Sequence, residues 1–86
     1  MIYTVVWTPS AERVLIDIWI SAEDRQAVCN VADAIDLALR NMPYRVGESR
    51  AGAVRVVVSP PLGVEYTVYE ADRLVEVHSV WRVREP

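Results

Sequence analysis

The chain has 86 residues, 52% of them hydrophobic, and a formal net charge of −3 in which all nine basic residues are arginine. That length holds a single domain over residues 1–86 and buries only about two-thirds of the surface its unfolded form exposes, so part of the apolar surface is expected to face another protein chain. The acidic balance excludes strong non-specific nucleic-acid binding, which runs on clustered positive charge.

Residues 2–7 alternate, with Tyr3, Val5 and Trp7 on one side and Ile2, Thr4 and Val6 on the other, and predict a strand covered on both faces. Thr8 and Pro9 then supply an N-cap and a first-turn proline. Ala11, Val14, Leu15, Ile18 and Trp19 form one helical stripe. Ser21, with Asp24 three residues on, suggests the cap of a second helix. Val28, Val31, Ala32, Ile35 and Leu39 keep the helical spacing until Asn41, Met42 and Pro43 end it. With almost no loop between them, the two helices should pair as an antiparallel hairpin.

Residues 44–52 read as a loop, with room for a brief extended piece. Three alternating runs follow. The first is Val54-Val56-Val58, the second Val64-Tyr66-Val68 and the third Val75-Val77-Ser79, with His78 in phase with Glu76 and Val80. Pro60, Pro61 and Gly63 make one break between them, and Ala71-Asp72 the other. The pattern predicts an antiparallel meander. The expected fold is α+β, in the order β-α-α-β-β-β, with a helical hairpin on one face of a four-stranded, mainly antiparallel sheet.

Cys29 is the only cysteine, so no intramolecular disulfide forms, and Cys29 with His78 gives no metal-ligand spacing. Neither metal nor cofactor is expected. Residues 1–7 lack the features of a signal peptide, and no run approaches the roughly 20 apolar residues that span a bilayer. These readings predict a cytoplasmic protein with no membrane partner.

Among the polar residues, the glycine-flanked run Glu48-Ser49-Arg50 is either a binding loop or a structural ion pair. His78 is the single group suited to acid–base work near neutral pH, without an identifiable orienting partner. Tyr66, Tyr69 and Trp81 could stack on bases, and fit a core or a protein interface better. The acidic residues of the first half, with a local balance of −4 over residues 1–39, read as a solvated face.

The ordered set of these features resembles the RelE/ParE superfamily of type II toxin–antitoxin toxins. The resemblance runs through Tyr3-x-Val5-x-Trp7, the Ala11-to-Trp19 helix, Ala34-Ile35-Asp36 to Pro43, Gly47-Glu48-Ser49-Arg50, Arg55, Pro61-Leu62-x-Val64-x-Tyr66-x-Val68, and Val75-x-Val77 to Arg82. It implies a cytoplasmic protein neutralised by a cognate antitoxin, and leaves homodimerisation open. Two activities come with it: growth inhibition by contact with DNA gyrase, as in ParE-like members often linked to plasmid stabilization, or cleavage of mRNA at the ribosome, as in RelE-like members. In the second case the chain would be a metal-independent endoribonuclease. The catalytic set would then be Arg55, Arg82, Arg84 and His78, with Glu48, Arg50, Tyr66 and Trp81 contacting partner or target. The basic residue RelE-like chains place before the Tyr-x-Val strand is replaced by Leu62-Gly63-Val64, and no C-terminal tyrosine follows Pro86. These departures favour the ParE-like reading, with a toxin-like remnant that has lost activity as a further alternative.

Overall fold

The computed structural model describes residues 2–84. Its elements run β1 (Thr4–Trp7), α1 (Pro9–Ser21), α2 (Arg25–Asn41), β2 (Glu48–Ala51), β3 (Val54–Ser59), β4 (Leu62–Tyr69) and β5 (Leu74–Arg82), with a 3-10 turn at Glu70–Asp72. The strands make one sheet in the order β1-β5-β4-β3-β2. All neighbours are antiparallel except β1, which lies parallel to β5. The class is the expected α+β, but the sheet has five strands. The fifth is β2, in the stretch whose sequence reads as a loop with room for a brief extended piece, because all four of its residues are exposed and no apolar alternation marks it. Its extended state comes from the ladder to β3, where Glu48 faces Val56 and Ser49 faces Arg55.

The start of α1 is as read: the Thr8 hydroxyl accepts from the Ala11 amide at 3.2 Å, and Pro9 opens the helix. The second cap is a correction. Ser21 ends α1 and its hydroxyl donates back to the Asp17 carbonyl at 2.9 Å. Asp24 caps α2 by accepting from the Ala27 amide at 3.0 Å. Three residues thus separate the helices, and the carboxylate takes the N-cap role for which it is as well suited as serine.

Both helices pack on one face of the sheet. Ala11 of α1 and Val28, Ile35 and Leu39 of α2 meet Leu62, Val64 and Tyr66 of β4 and Val75, Val77 and Val80 of β5. Val14, assigned to the buried stripe by its spacing, is 41% exposed, and Trp19 is 37% exposed. The stripe that faces the core is narrower, running through Ala11, Leu15, Ile18 and Ala22. Tyr66 is fully buried and its hydroxyl donates to the Pro43 carbonyl at 2.6 Å, tying β4 to the end of α2.

A bulge in β5 decides what the other face shows. Glu65 pairs with Ser79 and Tyr66 with Val77, so His78 has no partner across the ladder. An extra residue of this kind resets the alternation of the strand. Val77 and Val80 therefore both reach the core, while His78 turns to the side away from the helices. This corrects the reading of His78 as in phase with Val80. No helix among the described residues is long and apolar enough to cross a membrane.

Candidate functional site

Among the described residues, nothing packs on the sheet face opposite the helices, and its side chains follow from the register. Beyond an end row of Thr4, Leu74 and Tyr69, three rows cross it. Val6, Glu76, Thr67 and Val54 form one; Ser79, Glu65, Val56 and Glu48 form the next; Trp81, Gly63 and Val58 form the last. In the last row the Trp81 indole lies flat across Gly63, where an added Cβ would come within 2.6 Å of Cε2. Glycine is required there for close approach rather than for its backbone angles.

The bulge places His78 between the second and first rows. Its Nε2 shares a hydrogen with the Thr67 hydroxyl at 3.1 Å, and its Nδ1 stands 3.5 Å from the Glu65 carboxylate. The ring is thus hydrogen-bonded at one nitrogen and has a carboxylate beside the other. With the proton on Nδ1, Nε2 accepts from Thr67 and the Glu65 carboxylate stands beside the protonated nitrogen. Thr67 is only 9% exposed, so its hydroxyl is a poor nucleophile for a large substrate. Sequence reading found His78 but no orienting partner. The partners come from a neighbouring strand and become adjacent only through register and bulge.

The arginines do not join it. Arg55 pairs with Tyr66 and so faces the helix side. Its Nη2 donates to the carbonyls of Tyr44 and Gly47, each at 2.8 Å, and its plane lies over the Tyr44 ring at 5.7 Å. Its Nε is buried with no hydrogen-bond acceptor. Arg82 pairs with Leu62, again on the helix side, and shares a hollow with Glu23, Asp24 and Ala27 at the turn between the helices. Arg84 is exposed beyond β5, and Arg50 is exposed in a bulge of the edge strand β2. The paired positions of the open face therefore hold Glu48, Glu65 and Glu76 and no arginine. Of the expected contact residues, Glu48 and Trp81 reach this face. Tyr66 does not, being core.

Two other features lie outside it. Tyr3 and Tyr44 both donate to the same oxygen of Glu70, at 2.7 and 3.0 Å, and Arg73 binds the second oxygen at 2.8 Å. The Tyr3 hydrogen bond is the main cause that holds the Glu70 carboxyl below its ordinary value; Tyr44 and the Arg73 charge add to it against some desolvation. In return Tyr3 is raised, chiefly by that bond, and Tyr44 is raised by burial first and by Glu70 second. On the helices, Leu15, Ile16, Trp19, Val28, Cys29 and Ala32 line an apolar hollow of about 210 Å³, with the Arg25 guanidinium 4.7 Å over the Trp19 ring. Cys29 is half-buried there, as a small hydrophobe.

No protein-family model matches the chain. No curated protein matches it significantly. Solved structures do. A chain of the RelBE2 toxin–antitoxin complex from Mycobacterium tuberculosis superposes with a TM-score of 0.82 at 18% identity, covering 99% of this chain and 95% of that one. A chain of the chromosomal ParDE system of P. aeruginosa gives 0.75 at 17% identity, covering 95% and 97%. The isolated E. coli RelE toxin gives 0.69 at 13% identity, covering 98% and 87%. The chain has the RelE/ParE toxin fold.

Identities of 13–18% carry the backbone and not the side chains. Within the RelE/ParE fold, what distinguishes this chain is therefore its own distribution of groups. One sheet face is acidic and aromatic with a held histidine, and the arginines are turned to the helix side, the edge or the end.

Proposed function

We propose that this chain is the toxin of a type II toxin–antitoxin pair and that it acts in the ParE manner, arresting growth by binding an essential protein such as DNA gyrase. The fold supports the toxin role, and solved complexes of RelBE2 and ParDE are among the structures it resembles. The distribution of charge carries the choice of mechanism. Cleaving RNA requires cations placed to neutralise developing phosphate charge, and the open face offers three glutamates at its paired positions instead. Arg55 is held by backbone carbonyls, and Arg82 lies beside Glu23 and Asp24. In this reading Arg50, Arg82 and Arg84 anchor protein contacts. The cognate antitoxin covers apolar surface, for which the exposed Ile16, Trp19 and Ile20 of α1 are suited.

One observation favours a second reading. His78, hydrogen-bonded with Thr67 and with Glu65 beside it, stands on the open face as the acid–base group that a RelE-like, ribosome-dependent endoribonuclease would use, with phosphate ligands drawn from outside the paired positions of that face.

Expression in a bacterium, with and without the neighbouring gene, separates the readings. The ParE-like reading expects growth arrest with induction of the DNA-damage response and intact message, relieved by the neighbouring gene. Message cut at the ribosome, lost in His78→Ala or Arg82→Ala, would establish the nuclease. Unimpaired growth at high expression would leave a remnant.

A further inference from the structure

We propose that the open sheet face is a docking surface for a partner-protein segment that carries an aliphatic side chain with arginine or lysine side chains to one side of it. The inference deepens the contact reading above and rests on it. The face has two properties that together select such an occupant. It is apolar where Trp81 and Val58 flank Gly63, with exposures of 37% and 51%. It is negative in the two rows that follow that strip on one side, where Glu65 and Glu48 stand in the nearer and Glu76 in the farther. The paired positions carry no cation of their own to neutralise these carboxylates, and the nearest basic group, the His78 ring, is already hydrogen-bonded with Thr67 and has Glu65 beside it.

The physical reason is complementarity. An aliphatic side chain over Trp81 and Val58 removes apolar area from water. Guanidinium or ammonium groups to one side of it then fall over the glutamate rows, where opposite charge fixes register and excludes wrong partners. Arginine gains further by stacking on the exposed indole. Nucleic acid is disfavoured on the same face, because its phosphates would meet three carboxylates.

The test titrates the isotope-labelled full chain with a short synthetic peptide of alternating valine pairs and arginine pairs, which shows both kinds on each side of an extended chain, and with its counterpart in which glutamate replaces arginine. Amide shifts should gather at Glu48, Glu65, Glu76 and Trp81 with the arginine peptide and be absent with the glutamate peptide. The combined variant Glu48→Gln, Glu65→Gln, Glu76→Gln should weaken binding roughly tenfold, and each single variant roughly twofold, in line with the modest worth of exposed ion pairs. The single variants keep the test open should the combined one not fold. Shifts confined to the helices, equal binding of the two peptides, or undiminished binding by the variants would overturn the proposal. Binding with no growth arrest on expression would leave the docking surface standing and remove the toxin reading; arrest without binding would do the reverse.

Discussion

At Gly63 the Trp81 indole occupies the space where a side chain would begin, so the smallest possible addition is costly. Gly63→Ala must displace a ring lying within 2.6 Å of the new atom, and overpacking of this kind costs about 1–3 kcal/mol. Chemical denaturation of the variant should show that loss. An unchanged midpoint would mean that the indole swings freely away from the sheet. Tyr66→Phe isolates a buried hydrogen bond: the Pro43 carbonyl loses its 2.6 Å donor, and an unsatisfied buried acceptor costs about 1–3 kcal/mol. Glu70 supplies the pH dependence. Its carboxyl is lowered in the folded chain, chiefly by the Tyr3 hydroxyl, so its contribution is present above the ordinary glutamate value and is lost as pH falls through the folded one. Tyr3 and Tyr44 are raised, so theirs is present below the ordinary tyrosine value and lost as pH rises through the folded ones. The urea midpoint of Glu70→Gln should therefore fall less steeply on acidification than that of the parent, and an identical acid limb would show that this cluster does not stabilise the fold.

The elements divide into those their own sequence specifies and those their neighbours impose. The helices belong to the first kind. Thr8-Pro9 and the spacing of Ala11, Leu15, Ile18, Val28, Ile35 and Leu39 are local signals, and the structure uses all of them. The second cap was ambiguous because Ser21 and Asp24 are both good caps three residues apart. A pair of variants tells them apart: Asp24→Ala should cost about 0.5–2 kcal/mol, while Ser21→Ala, losing only an exposed bond to Asp17, should stay within about 0.5 kcal/mol. Equal losses would restore Ser21 as the cap. The second kind includes β2, whose residues Glu48–Ala51 carry no apolar period and become a strand through pairing with Val54–Val56. It also includes the bulge at His78, which no alternation of Val75, Val77 and Ser79 announces. The candidate site lies where that bulge sits, so His78 was legible as a residue while its Glu65 and Thr67 partners were not.

On the scale of the whole molecule, the sheet separates two kinds of surface. One face is sealed by the hairpin into a core built on Leu39, Leu62, Val64, Tyr66, Val75 and Val77, all at or near zero exposure. The other face stands open, and the outer side of the hairpin exposes Ile16, Ile20 and Leu37 at 51%, 54% and 62%. A small domain with so much apolar surface in water has a thin margin of stability. Saturating binding of a partner that sees only the folded form should therefore raise the melting temperature markedly, by the usual mass-action linkage. Co-purification with the product of the neighbouring gene, followed by calorimetry, measures it, and an unshifted transition would argue that this gene does not encode the partner.

The parallel pairing of Thr4–Trp7 with Leu74–Val77 makes β1 depend on a strand synthesised only after both helices and three further strands. Until translation reaches Val77, the N-terminal strand has no partner strand, and the helices that follow it have only part of the surface they will cover. Such a late, long-range closure delays the finished form and leaves apolar side chains uncovered in the meantime. A partner made from the same message and already folded would meet the nascent chain during that interval, before the completed protein has been released.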